Sequence, residues 1–366
     1  MPLLSVYPPY TLRSCWLCAG ALLSKGMDRI DFNQLRDTLE RALRQLGIPA
    51  ERAALSARLI AETDLDGITT HGISRFPRFA EMVRLGTVDP AATPQTITSF
   101  GALERWDGRL GPGNLAAHAA MAHAMVLAKQ HGLGGVALAN TNHWQRGGTY
   151  GWQAAEAGFA AICWTNTMPN LPPWGATTPA LGNNPLVIAI PRAAGPIVLD
   201  MAMSQFSYGS LTAYGERGEP LPVPGGFDAE GKLTQDAAAI EASQRALPIG
   251  FWKGSGLSFA LDILGAMLSG GKATHQIPSD SLREAGLSQV FLAVSPDTLA
   301  THAALDALAD NAIAALHAAA PVTPGRPPRY PGERVLETRK QNLRLGVPVN
   351  ATAWTTVQHI AALLIT

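Results

Sequence analysis

Gly111-Pro112-Gly113-Asn114-Leu115-Ala116 is the stretch on which the fold turns. Its GxGxxA spacing, directly before a helix-forming run, is the fingerprint of a Rossmann turn, where glycines admit a pyrophosphate to a helix N-terminus. Two neighbours argue against that reading. Pro112 occupies the tight turn, and the strand after the helix runs into Asn140-Thr141-Asn142 rather than an acidic residue for the ribose hydroxyls. The stretch therefore reads as an ordinary helix start with Asn114 near the cap.

Outward from it, residues 114–131 form a long Ala-rich helix and 135–139 a buried strand. Upstream, Leu35, Leu39, Leu43 and Leu46 recur three or four residues apart, and an Ala-rich helix follows over 51–64. A further helix over 79–85 stops at Gly86, a Pro-marked loop covers 89–94, and 96–106 alternates like strands. Downstream, the short apolar runs 160–164, 186–190 and 197–199 are core strands by length and flanks, and 215–248 is a polar excursion. Helices at 257–268, 301–319 and 333–345, a strand at 290–294 and a Pro-rich loop at 321–331 lead to a last helix over 351–365 that packs back on the first ones. There is no internal repeat and no even βαβ rhythm. The pattern predicts an α/β (α+β) chain, with 27–100 and 300–366 as one helical domain around a mixed-sheet domain over 101–299.

The chain has 366 residues, 47% of them hydrophobic, enough for a large core. Lys plus Arg (28) balance Asp plus Glu (28), so no overall field points to nucleic acid or a membrane surface, and no apolar run is long enough to span a bilayer. Cys15 and Cys18 have CxxC spacing without a second pair or a histidine cluster, and Cys163 lies in an apolar run, which fits a reducing cytoplasm without disulfides or zinc. Residues 1–26 look foreign to the rest. Their short apolar run resembles a signal peptide only loosely, and Met27 is the natural start, with export the minority alternative. No P-loop, HExxH pair or GxSxG elbow occurs, which disfavours nucleotide, zinc or serine hydrolysis and leaves metal catalysis without support.

Several polar segments could carry chemistry. In Thr70-His71-Gly72-Ile73-Ser74-Arg75 a titratable imidazole stands four residues before a guanidinium, either as a solvated helix start or as a proton-transfer site for a small acid. Asn140-Thr141-Asn142-His143-Trp144-Gln145-Arg146 follows a buried strand, where a scaffold can present donors, a ring and a cation. Leu181-Gly182-Asn183-Asn184-Pro185 is a tight polar turn. Asp200 ends a strand and needs a cationic or imidazole partner, either a structural arginine or His71. Phe251-Trp252-Lys253-Gly254 opens a helix with aromatic surface and free amides suited to a phosphate-bearing ligand. Trp144, Trp152, Trp164 and Trp174 motivate a different reading, a non-catalytic sugar-acid binding protein.

Thr70-His71-Gly72, Asn142-His143-Trp144, Gly182-Asn183-Asn184-Pro185, Asp200-Met201-Ala202-Met203-Ser204 and Lys253-Gly254 together resemble the type-2 malate/L-lactate dehydrogenase family, from about Met27 onward. The runs 142–156, 162–166, 172–176, 206–209 and 225–228 look most like its diketogulonate-reductase branch. The resemblance implies a non-Rossmann nicotinamide-binding fold, a cytoplasmic homodimer, and reduction of a 2-oxo acid or sugar acid to the 2-hydroxy acid with NADH (NAD), or NADPH (NADP). Malate, lactate, ureidoglycolate and cyclic-imine relatives share the core motifs. Carried over by motif, His71 is the general acid with Asp200 as its partner. The cofactor contacts would be Gly195, Pro196, Ile197, Val198, Leu199, Asp200 and Met201, then Phe251 and Trp252, then Pro331, Gly332 and Glu333. Arg75 suits the substrate carboxylate, with Thr70, His143, Arg146 and Asn183 as further substrate contacts. Asn183 stands where many relatives have threonine, and 1–26 has no counterpart.

Overall fold

The computed structural model describes residues 27–296 and 300–363, so Cys15, Cys18 and the 1–26 extension lie outside the described residues. In chain order the elements are β1 (Met27–Ile30), α1 (Phe32–Gln45), α2 (Ala50–Leu65), a 3-10 turn (Ile73–Arg75) running into α3 (Phe76–Arg84), β2 (Gln95–Phe100), β3 (Leu103–Asp107), α4 (Gly113–His131), β4 (Leu133–Asn142), α5 (Gly148–Glu156), β5 (Ala160–Thr165), β6 (Leu186–Ile190) and β7 (Ile197–Met201). After these come α6 (Tyr208–Arg217), β8 (Gly226–Phe227), β9 (Leu233–Thr234), α7 (Ala237–Ser243), α8 (Trp252–Ser269), β10 (Ala285–Val294), α9 (His302–Ala318), α10 (Glu333–Leu345), β11 (Val347–Asn350) and α11 (Ala351–Ala361).

The helical layer follows from the leucine stripe. Asp31 caps α1 by accepting from the Asn33 and Gln34 amides, and Leu35, Leu39 and Leu43 are fully buried against α2 and α11. Strand β1 pairs antiparallel with β11, Met27 opposite Asn350, which ties the two ends of the described chain together. The other core is a seven-stranded sheet in the order β2-β3-β4-β10-β5-β6-β7, in which β3 and β4 are parallel and every other neighbouring pair is antiparallel. Helices α4 and α5 cover one face through Met121, Tyr150 and Trp152; the other face packs Trp164 and Val290 against Leu261 of α8 and the 208–246 excursion. This mixed order is not a doubly wound parallel sheet, in agreement with the expectation from the sequence.

Several boundaries differ from the sequence reading for local reasons. Helix α3 begins three residues early, because Pro77 sits in its first turn, where a missing amide costs nothing. Strand β4 continues to Asn142 and β7 to Met201, so those polar residues extend the strands rather than follow them. The polar excursion holds α6, α7 and a short hairpin. Residues 95–100, placed with the helical layer by a division at 100, pair with β3 in the central sheet. Trp144, Trp152 and Trp164 are core residues, which removes the aromatic platform that motivated a sugar-binding module; Trp174 is the half-exposed exception.

The glycines of the deciding stretch serve packing. A Cβ on Gly113 would sit 2.2 Å from the Asn142 carbonyl oxygen and 2.5 Å from that of His143, and one on Gly111 would meet the Ala92 carbonyl at 2.7 Å. The space a pyrophosphate would need is filled by the chain itself. Gly113→Ala is therefore expected to destabilise the fold by about 1–3 kcal/mol, the usual cost of overpacking, and to leave the cofactor dissociation constant of the folded protein unchanged. Denaturant melts and cofactor titration check this; unchanged stability with weakened cofactor binding would restore the dinucleotide reading of the motif.

Candidate active site

The site grows from the end of α2. Asp64 and Asp66 lie at its last turn, and the chain then folds over them so that the amide of Ile73 donates to Asp64 Oδ2 at 2.6 Å. Asp64 thus caps the 3-10 turn that leads into α3, and a carboxyl so placed requires Gly72, whose Cβ would lie 2.1 Å from it. Burial pushes the Asp64 carboxyl well above its ordinary pKa, against the opposing pull of the Ile73 amide.

Held this way, His71 and Arg75 stand on one turn. The His71 ring stacks on His143 with centroids 6.2 Å apart, and Thr70 Oγ1 lies 2.8 Å from His71 Nδ1. Burial, then the charges of Arg75, His143 and Arg146, hold the His71 imidazole well below its ordinary pKa. His143 is lowered in the same direction, by burial and then by Arg75 and Arg78. The Gln145 amide donates to its Nδ1 at 3.0 Å, which places any neutral-ring proton of His143 on Nε2. Arg75 spends its Nε on the Thr70 carbonyl, 3.1 Å away, and has no ion-pair partner among the described residues. Arg75, Arg78, Asn142, His143 and Gln145 line one small cleft with Phe79.

The structure separates other expected partners. Asp200 does not orient His71. It stands exposed on the edge strand β7 and accepts from the Gly148 amide at 2.8 Å, where the positive end of α5 attracts a carboxylate, and Arg146 is its nearest cation. Thr70 takes the place beside the His71 ring instead. Arg146 is buried and commits its Nη1 to Asp66 at 2.6 Å, so it is a framework cation beside the cleft. Asn183 turns its side chain to Thr167, 3.2 Å away, and its amide to Asn170, at 2.8 Å; it holds a turn. Asp64, Asp66, Arg78, Glu284 and Arg339 carry the site without having been singled out from the sequence. Only Arg78, three residues after Arg75 on the same helical side, left a local signal.

Two of the three expected cofactor segments meet. The Val198 amide donates to the Pro331 carbonyl at 3.0 Å, and Gly332, at φ +91°, packs against Val198 and Trp152. Alternation along the edge strand turns the main-chain N–H and C=O of Asp200 outward on the same side as those of Val198, a donor and acceptor pair matching what a carboxamide offers. These residues fit a nicotinamide cofactor. Phe251 and Trp252 are exposed at the start of α8, with the Phe251 ring tilted by 52° against Trp174, centroids 5.0 Å apart. Among the described residues no three His, Cys, Asp or Glu side chains converge to hold a metal ion, and no helix is long and apolar enough to cross a membrane.

With this fold and site the chain belongs to the malate/L-lactate dehydrogenase family, whose model matches residues 30–358. It is an oxidoreductase family, and membership implies a nicotinamide cofactor. The 2,3-diketo-L-gulonate reductase of Klebsiella pneumoniae (strain 342) is 43% identical over 333 residues, 91% of this chain and 100% of the relative. Malate dehydrogenase from Pyrococcus horikoshii OT3 superposes with a TM-score of 0.84 at 25% identity, covering 93% of this chain and 97% of that one. Sulfolactate dehydrogenase from Methanocaldococcus jannaschii gives 0.84 at 26% identity, covering 91% and 96%.

Two imidazoles held below their ordinary pKa make stability depend on pH. The unfolded chain protonates them near pH 6.5 and the folded chain only at lower pH, so stability is intact above about 6.5 and falls as pH drops below it. Asp64, shifted upward, contributes with the opposite sign and is common to wild type and histidine variants. Urea melts should therefore show wild type losing more stability between pH 7 and 5.5 than the His71→Gln/His143→Gln double variant; equal losses would mean that neither ring is held neutral.

Proposed function

We propose that this protein reduces 2,3-dioxo-L-gulonate to 3-dehydro-L-gulonate, with NADH as reductant and NADPH as the alternative, acting as a cytoplasmic homodimer. The observation that carries the reading is Arg75, a half-buried guanidinium without a carboxylate partner, on the same turn as a neutral histidine. A buried cation without a counter-ion is costly, and a substrate carboxylate bound across its fork removes that cost. Arg78 beside it is neutralised by Glu284 at 2.6 Å, so among the described residues Arg75 is the cleft cation without a carboxylate, which suits a monocarboxylate better than malate or sulfolactate.

The bound nicotinamide would supply the hydride that adds to the C2 carbonyl carbon. The chain's own residues supply the rest. Arg75 holds the carboxylate and so orients the adjacent carbonyl toward His71. Thr70 fixes the ring through Nδ1, leaving Nε2 to deliver the proton to the developing alkoxide. A carboxylate on Arg75 also offsets one of the charges that depress His71, which loads the acid as substrate binds. Segments 195–201 and 331–333 are read as the cofactor edge, with Phe251 and Trp252 at α8 as a third contact. The helical layer of α1, α2, α3 and α11 is read as the wall that carries the acid, against the sheet body whose β7 edge carries most of the cofactor contacts. The apolar exposed side of α8, with Trp252, Phe259, Ile263 and Met267, supports a second copy there.

NADH oxidation with a panel of 2-oxo acids tests the substrate. The dioxogulonate should give the highest kcat/KM, and turnover no better than with pyruvate or oxaloacetate would overturn the specific reading. His71→Ala is expected to lower kcat at least about a hundredfold while the cofactor dissociation constant stays at the wild-type value; unchanged turnover would remove His71 from the mechanism.

A further inference from the structure

Two arginines line the substrate cleft, but they are in different electrical states. Arg75 has no carboxylate partner among the described residues. Arg78, one turn further along α3, donates from Nη2 to Glu284 Oε2 at 2.6 Å, and its Nε donates to the Ser281 carbonyl at 2.9 Å. Its Nη1 has no hydrogen-bond partner among the described residues. Glu284 comes from a distant segment leading into β10, where Thr87 Oγ1 donates to the Leu282 carbonyl at 2.9 Å and so fastens that segment to the end of α3. The Glu284 side chain is 4% exposed, and its other oxygen accepts from the Met168 amide at 3.1 Å. It is therefore held firmly enough to act as a fixed counter-charge. Its field also reaches Arg75, partly offsetting the effects of burial and of Arg78 on that guanidinium, and Arg78 in turn acts on His143 in the cleft wall.

We propose that Glu284 is a specificity-determining residue: by neutralising Arg78 it leaves the cleft with one effective cation and excludes 2-oxo acids that carry a second anionic group. The proposal rests on the reading of Arg75 as the carboxylate receptor. Substrates with a neutral hydroxylated tail meet Arg78 as a charge-paired group whose Nη1 can still donate to a hydroxyl, whereas a second carboxylate or a sulfonate meets the carboxylate of Glu284 behind it. Removing that one charge turns Arg78 into a second anion receptor without altering any side chain that touches the first.

The test compares binding of L-lactate and L-malate to the cofactor-free protein by calorimetry, so that the result does not depend on turnover. Wild type should bind malate no better than lactate. Glu284→Gln, which keeps the size of the side chain and one of its two acceptor oxygens, should raise the affinity for malate relative to lactate by about tenfold or more, the size of effect a freed partly buried charge produces. The double variant Arg78→Gln/Glu284→Gln carries neither charge and should return the ratio to the wild-type value. Because the double variant leaves no charge stranded, comparing its urea melt with that of Glu284→Gln separates a change in selectivity from damage to the fold. An unchanged ratio in Glu284→Gln, or a gain that survives in the double variant, overturns the proposal. If dioxogulonate fails as the preferred substrate while the ratio shifts as stated, the substrate assignment falls and the role of Glu284 stands.

Discussion

The arrangement depends on Asp66 and the two arginines that close on it. Arg146 reaches its Oδ2 from the loop after β4 at 2.6 Å, and Arg339 reaches Oδ1 from α10 at 2.7 Å, so one carboxylate joins the end of the helical layer, the sheet body and the C-terminal helix. Asp66 and Arg146 side chains are 2% and 6% exposed, and loss of one partner of so buried a pair costs about 3–5 kcal/mol, because the other charge is stranded. Arg339 is further set by Glu156 at 3.3 Å and by the Trp152 ring, 5.2 Å from its guanidinium carbon. Five residues after Asp66 the chain presents His71, and six residues before Arg339 it presents Glu333. The bridge therefore ties the segment of the proposed acid to the segment proposed for the cofactor edge.

The electrostatics of the cleft follow from which arginines find carboxylates. Arg146 and Arg78 are paired within the fold, while Arg75 has no carboxylate partner among the described residues and is the proposed receptor of an anion from outside. Burial and the surrounding cations hold the His71 ring below its ordinary pKa. In the proposed mechanism the carboxylate that reaches Arg75 offsets part of that charge, and the same ring gives a proton in reduction and takes one in oxidation.

Much of this was legible in the chain because local patterns encode it. The leucine stripe of α1 and the strand-ending polar runs each depend on contacts within a few residues, and the matching motifs carried the family; Thr70 was read as a substrate contact, and its place on the His71 ring was not. The glycine stretch at 111–116 was also legible, since Pro112 and the missing acidic residue argued against a cofactor turn, and the Asn142 and His143 carbonyls occupy the space. What could not be read were pairings between distant segments. Asp66 and Arg339 are 273 positions apart, and Arg78 and Glu284 are 206 apart. Nothing near Asp200 distinguishes a partner of His71 from a carboxylate drawn to the α5 N-terminus, so the sequence reading assigned it to the wrong neighbour. Only the folded chain decides such competitions, by which partner it holds at hydrogen-bond distance.

The central claim is that His71 exchanges the proton while Arg75 holds the carboxylate. The most direct measurement is a crystal structure of the protein with oxidised nicotinamide cofactor and a 2-hydroxy acid. The account predicts the substrate hydroxyl within hydrogen-bond distance of His71 Nε2, its carboxylate on the Arg75 fork, and its C2 hydrogen facing the nicotinamide along the β7 edge. A carboxylate seated on Arg146, or a hydroxyl turned away from His71, would contradict it.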